Sequence, residues 1–260
     1  ASTSATLVLL AVLCAAGGAY VLLNSLESGT HQQRAESGAH LLQTQVEALV
    51  ASYKDSTRRL ATRAAETGLL NDNKAVERAA FAGQFALALP QVLRLRLLPA
   101  GARDVDASSV PELSYVCLDL LDRSEKGQTI PDAELHLSAT PSAHIDVSAL
   151  VTDPADSKQV LGHVLLSLDP ATLRSAFAAV KPGDGYAELR QVTPTGEALV
   201  IASGGDTNLK TGAAPVTRNI TGTSWQLTYW PAISAWSPSM TVLTVSGAAA
   251  LLALVLLWLS

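Results

Sequence analysis

The sequence predicts a mixed α/β (α+β) domain, an antiparallel sheet with helices packed chiefly on one face, held between two apolar segments of membrane-crossing length. Three observations predict it. Residues 5–26 and 240–259 carry no Asp, Glu, Lys or Arg, and each has the length that roughly 30 Å of hydrocarbon demands of a helix. Residues 28–70 contain no proline and bear an apolar stripe at helical spacing. From about residue 133 onward the apolar period becomes two, the signature of half-buried strands.

The first apolar segment is read as a retained anchor. Its core exceeds the roughly 7–15 residues of a signal peptide, and no basic stretch precedes it. Trp225, Tyr229, Trp230 and Trp236 cluster before the second segment, where an interfacial aromatic belt would lie. All 18 Lys and Arg and all 23 Asp and Glu fall between the two segments, for a formal net charge of −5. That balance argues against nucleic acid as a partner. Close to the segments there is only Arg34 after the first and Arg218 before the second. Such poverty in positive charge places the central domain outside the cytoplasm, periplasmic in a bacterium, with the anchors in the inner membrane. Ala1 is not an initiator Met and Ser260 stops inside apolar sequence, so the gene product is expected to extend past both ends.

Cys14 lies in the first apolar segment and Cys117 alone lies in the domain, which rules out a disulfide within it. Stability must come from a hydrophobic core, and about 190 residues suffice for one.

Residues 28–89 are expected to form a stalk helix and a shorter helix. Leu42, Val46, Leu49, Tyr53, Leu60 and Ala64 make a heptad stripe on the first. The stripe either packs on its own domain or pairs with a second protomer as a dimer stalk. Residues 68–73 break the pattern, and 74–89 resume it until Pro90. Residues 90–231 are expected to be the sheet domain. Residues 92–98 alternate as a strand, with Arg94 and Arg96 on one face and Leu93, Leu95 and Leu97 on the other. A helix then follows, with Ser109 as N-cap, Pro111 in its first turn and Glu112 completing a capping box, and it stops near Gly127. Strands are expected over 133–139, 144–152, 160–169, 186–192, 198–203, 215–220 and 224–230, with one helix over 170–180 capped by Asp169.

No catalytic signature is present, so the region is not expected to be an enzyme and no cofactor is implied. His136 and His144 stand eight apart with Pro141 between them, and are read as strand histidines rather than metal ligands. Asp119, Asp122 and Glu125 recur every third residue, the pattern of a solvated helix face. Arg94 and Arg96 are the foremost ligand candidates. Two guanidiniums on one face of a strand can grip a small anion through charge-assisted hydrogen bonds, although an exposed sheet face with two arginines is also ordinary. Tyr115 with Asp119, one helical turn apart, and His144 with Asp146, alternate on a strand, are further candidates.

The anchor, the long stalk, the strand GHVLLSLD followed by the helix PATLRSAF, and the final TSWQLTYWP entering a second apolar segment resemble the Cache or PAS-like periplasmic domains of bacterial transmembrane receptors. That resemblance implies a sensory or assembly module of a longer protein, in which a ligand shifts the stalk and the second span relative to each other and biases a cytoplasmic effector; the heptad stripe adds the expectation of a homodimer. More narrowly, SYVCLDLLDRSEKG and GTSWQLTYWP are similar to the membrane-anchored N-terminal region of long bacterial phosphomannomutase/phosphoglucomutase proteins. Under that alternative the domain anchors and dimerises a sugar-phosphate mutase lying beyond the second segment. A third class, a subunit of a membrane complex, rests on the paired apolar segments alone.

Overall fold

A computed structural model of the chain describes residues 2–88, 91–102, 104–136, 140, 142–181, 183–212, 214–232 and 238–259, with the side chains of 2–13, 87, 88, 250 and 252–259 outside the description. The helix α1 runs unbroken over Ser2–Glu66, and α2 (Ala75–Ala88) returns beside it after a turn in which Gly68 takes a φ of 60°. The strands β1 (Val92–Pro99), β2 (Glu134–His136), β3 (His144–Thr152) and β4 (Val160–Leu168) form one antiparallel sheet in the order β1-β4-β3-β2. A second antiparallel sheet takes the order β6-β5-β8-β7 from β5 (Gly185–Val192), β6 (Ala198–Gly205), β7 (Val216–Asn219) and β8 (Trp225–Pro231). In chain order α3 (Tyr115–Glu125) lies between β1 and β2 and α4 (Ala171–Ala178) between β4 and β5, and the described chain ends in α5 (Pro238–Leu259).

The strand positions follow the period-two runs closely, yet the strands divide into two sheets where the sequence suggested one. Alternation reports that a segment is half-buried, not which neighbour it pairs with. After β4 has taken β1 on one edge and β3 on the other, the chain leaves through α4 and opens a new ladder at β5. Helix α4 packs on β6, where Gly204 allows the approach: a Cβ there would lie 1.8 Å from the Phe177 carbonyl oxygen.

Both sheets lean on α1. Ala35, Ala39, Leu42, Val46, Val50, Tyr53, Leu60, Ala61 and Ala64 are buried and join one apolar core with Val147, Leu166, Leu189 and Leu227. The heptad stripe is therefore covered by the chain's own sheets, with Leu49 partly buried against them. Polar contacts fix the register along the helix. Gln43 Nε2 donates to the Asn219 carbonyl, Glu47 accepts from the Thr221 backbone and hydroxyl, and Lys54 binds Asp132.

Two local expectations change. Helix α3 begins at Tyr115 with Ser114 as its N-cap, because Ser109 and Pro111 are held in a preceding loop by Arg96 and by an antiparallel bridge between Asp106 and Leu113. Leu93 points outward, 42% exposed, because the β1–β4 register shifts between Val92 and Arg94. The expected strand residues 137–139 and the aromatic Trp236 lie outside the described residues. The expected spans fall partly on undescribed side chains, and among the described residues no helix is long and apolar enough to cross a membrane.

Candidate functional site

The face of the first sheet turned away from α1 is polar where the other face is apolar. Register sets Arg94, Ser167, Asp146 and Glu134 side by side across the four strands, with Arg96 and Leu165 one step along and His144 opposite His136. Helix α3 roofs this face. Cys117, Leu118 and Leu121, with Leu113 before them, pack on Leu165, and the His163 ring meets the Glu125 carboxylate at 3.1 Å near the helix end.

Asp146 is the hub beneath the roof. Its Oδ1 accepts from Ser167 Oγ at 2.7 Å and its Oδ2 from Cys117 Sγ at 3.1 Å. His136 Nε2 and His144 Nε2 each stand 3.6 Å from that same Oδ2, with the two rings stacked at 5.5 Å. Burial works against ionisation of Asp146, but the His144 contact and the positive charge of the histidines outweigh it and hold the carboxyl below the usual range. For His144 burial likewise opposes the charged form. Asp146, Cys117 and the Ser142 carbonyl outweigh it, and its pKa is raised to about 10.

Arg96 is not free for a ligand. It is 8% exposed and donates to Ser109 Oγ at 2.7 Å and to the Pro111 carbonyl, with Ser167 Oγ at 3.5 Å. Desolvation, then the neighbouring Arg94, lower its pKa. Its work is to hold the 106–113 loop against the sheet. Arg94 is different: its side chain is 39% exposed and its guanidinium reaches Asp106 only at 4.0 Å. It lines a cleft of about 580 Å³ between α2, β1 and the loop, together with Arg78, Ala82, Asp104 and Asp106.

Of the six ligand candidates, the structure therefore brings His144 and Asp146 together, sets Arg96 beside them as a loop anchor, and puts Arg94 on the rim. Tyr115 and Asp119 lie elsewhere, on the outer face of α3: Tyr115 is 79% exposed and Asp119 pairs with Arg123 at 2.9 Å. Cys117, Ser167 and Ser109 were missed. A signal for Cys117 did exist, since it lies one turn from both Leu113 and Leu121 on the apolar side of the helix.

No protein-family model matches the chain, and no curated protein does. Solved structures do resemble it. The extracellular domain of a histidine kinase, rpHK1S-Z16, aligns at 12% identity with a TM-score of 0.53, covering 80% of this chain and 98% of its own. The sensory domain of the Campylobacter jejuni chemoreceptor Tlp3, with isoleucine bound, aligns at 11% identity and a TM-score of 0.53 over 79% of this chain and 94% of its own. The ligand-binding domain of the Pseudomonas aeruginosa amino acid chemoreceptor PctC, in complex with GABA, aligns at 16% identity and a TM-score of 0.53 over 77% and 98%. At these identities the likeness is one of fold, shared with these three extracellular or sensory domains.

Proposed function

We propose that the chain is the extracytoplasmic sensory domain of a membrane-anchored bacterial receptor, and that it binds a small carboxylate of the amino-acid type in the cleft beside Arg94. The observation that carries this is the state of Arg94: a half-exposed side chain in a cleft of about 580 Å³, with one carboxylate at the long distance of 4.0 Å. A ligand carboxylate could take the bidentate geometry that Asp106 leaves unused. The Cache-like fold supports the reading, as do the isoleucine and GABA held by two of the similar structures. Binding would favour one arrangement of α2, the 104–113 loop and the first sheet. Because α1 packs on both sheets and on α5, a population shift in the domain would be carried toward the membrane by these two helices. Membrane anchoring and dimerisation belong to this reading. The test is a thermal-shift screen of amino acids and small carboxylates on the chain in detergent, since a ligand of the folded state raises the melting temperature. A hit should lose affinity about tenfold or more in Arg94→Ala. If no compound shifts the wild type, or if hits are indifferent to Arg94, this assignment fails.

A further inference from the structure

A second cluster of chemistry-bearing side chains lies under α3, apart from the cleft beside Arg94. Cys117, His144 and Asp146 each offer a ligand atom, and these atoms all lie within 4.8 Å of one another, fully buried. His136 stands on the same carboxylate oxygen from the neighbouring strand. His136 Nε2 and His144 Nε2 are buried without a geometrically satisfied hydrogen bond, and each meets Asp146 Oδ2 only as an ion-pair contact at 3.6 Å. At that distance they are too far for a hydrogen bond. The edges of a tetrahedral zinc site are roughly 3.3–3.6 Å for nitrogen, oxygen and sulfur ligands at their usual bond lengths. Both histidine-to-carboxylate distances match, while His136 lies outside the 4.8 Å set and must close on Cys117 and His144 when the ion binds.

The outer contacts point the same way. His144 Nδ1 lies 2.8 Å from the Ser142 carbonyl, which can only accept, so Nδ1 carries a proton and Nε2 is left to face the cluster. Ser167 holds the second carboxylate oxygen at 2.7 Å. Metal-ligating histidines and carboxylates are oriented in this manner.

We propose that Cys117, His136, His144 and Asp146 form a site for one divalent transition-metal ion, zinc by its donor set, that ties α3 to the first sheet. One thiolate, two imidazoles and a carboxylate are a mixed set suited to Zn2+, and the two anionic ligands balance its charge. Binding replaces the thiol proton and any imidazolium proton, which leave to solvent. The site joins β2, β3 and α3, so the ion fastens the roof of the sheet. This stands independently of the cleft beside Arg94.

Co2+ is the probe. The full chain in detergent, stripped with a chelator, should take up one Co2+ with tetrahedral ligand-field bands and a thiolate-to-metal charge-transfer band, and Zn2+ should displace it. Cys117→Ser should abolish the charge-transfer band while Cys14→Ser keeps it. His136→Ala, His144→Ala and Asp146→Asn, each checked for folding by circular dichroism, should bind at least tenfold more weakly. Because the wild-type spectrum is read without any variant, loss of fold in one of them does not hide the answer. Absence of the thiolate band in folded wild type, or full affinity in any folded variant at the four positions, overturns the four-ligand site.

Discussion

Glu27 on α1 caps the first turn of α5 through Ser239: the Ser239 backbone N–H donates to Glu27 Oε1 at 2.9 Å and its hydroxyl to Oε2 at 2.8 Å. A helix start leaves backbone donors without partners and a positive dipole end, and here a carboxylate from another helix answers both. Glu27→Ala should cost about 1 kcal/mol, the usual loss on removing an N-cap. Denaturant unfolding in detergent measures it, and an unchanged midpoint would show that the contact contributes nothing.

The domain is expected outside the cytoplasm, on the scarcity of Lys and Arg near both apolar segments. The β5–β6 hairpin offers a place to ask. Gly196 is exposed at its turn with a φ of 83°, and residues 194–198 are exposed beside it, so an inserted reporter leaves the ladder intact. A reporter that works only after export should be active there. A cytoplasm-dependent reporter active at the same position would invert the orientation and remove the sensory reading.

What the sequence made legible was whatever a local period could express. The runs at 144–152 and 160–169 correspond almost residue for residue to β3 and β4, although both strands carry long buried stretches instead of strict alternation, since α1 covers one face of the sheet and α3 the other. Partner choice was not local: Asp146 and Cys117 are 29 positions apart, and nothing in either neighbourhood states that α3 folds down over β3. The two arginines show the same limit. Period two correctly put Arg94 and Arg96 on one face, but it could not tell that the 106–113 loop covers one guanidinium and leaves the other on the rim.

That difference makes a stability prediction. Arg96→Ala would remove the charged donor from the Ser109 hydroxyl and the Pro111 carbonyl, leaving the carbonyl only the Ser109 hydroxyl, at a cost of about 1–3 kcal/mol. Arg94→Ala, half-exposed and weakly paired, should change stability by less than about 0.5 kcal/mol. Arg96→Lys should not restore the loss, because an ammonium cannot reproduce the fork that reaches both groups. Equal melting temperatures for the two alanine variants would contradict the loop-anchor role.

The stalk stripe was open to two readings, and burial separates what each can mean. Val46 is 1% exposed against the chain's own sheets, whereas Leu41, near it on α1, is 61% exposed. Val46→Asp would place a charge in the core and should unfold the domain at any protein concentration. Leu41→Asp should leave the fold intact. If copies of the chain associate through the outer face of α1, sedimentation should show that variant dissociating while its melting temperature holds. Loss of fold in Leu41→Asp would mean the outer face is packed after all.

The second sheet carries a buried acid whose charge can be tested by pH. Glu188 is 3% exposed on β5, and its Oε2 accepts from Arg190 and from Lys210, each at 2.8 Å. Burial raises the carboxyl's pKa, but the hydrogen bonds and charges of those two cations outweigh it, so the net shift is downward. The unfolded chain releases these contacts and its glutamate titrates near the ordinary value of about 4.3. A folded pKa below the unfolded one means that the unfolded state binds the proton first as pH falls. The stability contributed by the ionised carboxylate is therefore complete above about pH 4.3 and is lost as pH falls through the depressed folded value. Glu188→Gln lacks this titration while keeping the shape and one acceptor. The stability difference between wild type and Glu188→Gln should be constant at neutral pH and shrink on acidification below about pH 4.3. A difference that stays level into the acid limb would mean that Glu188 is not held ionised by Arg190 and Lys210.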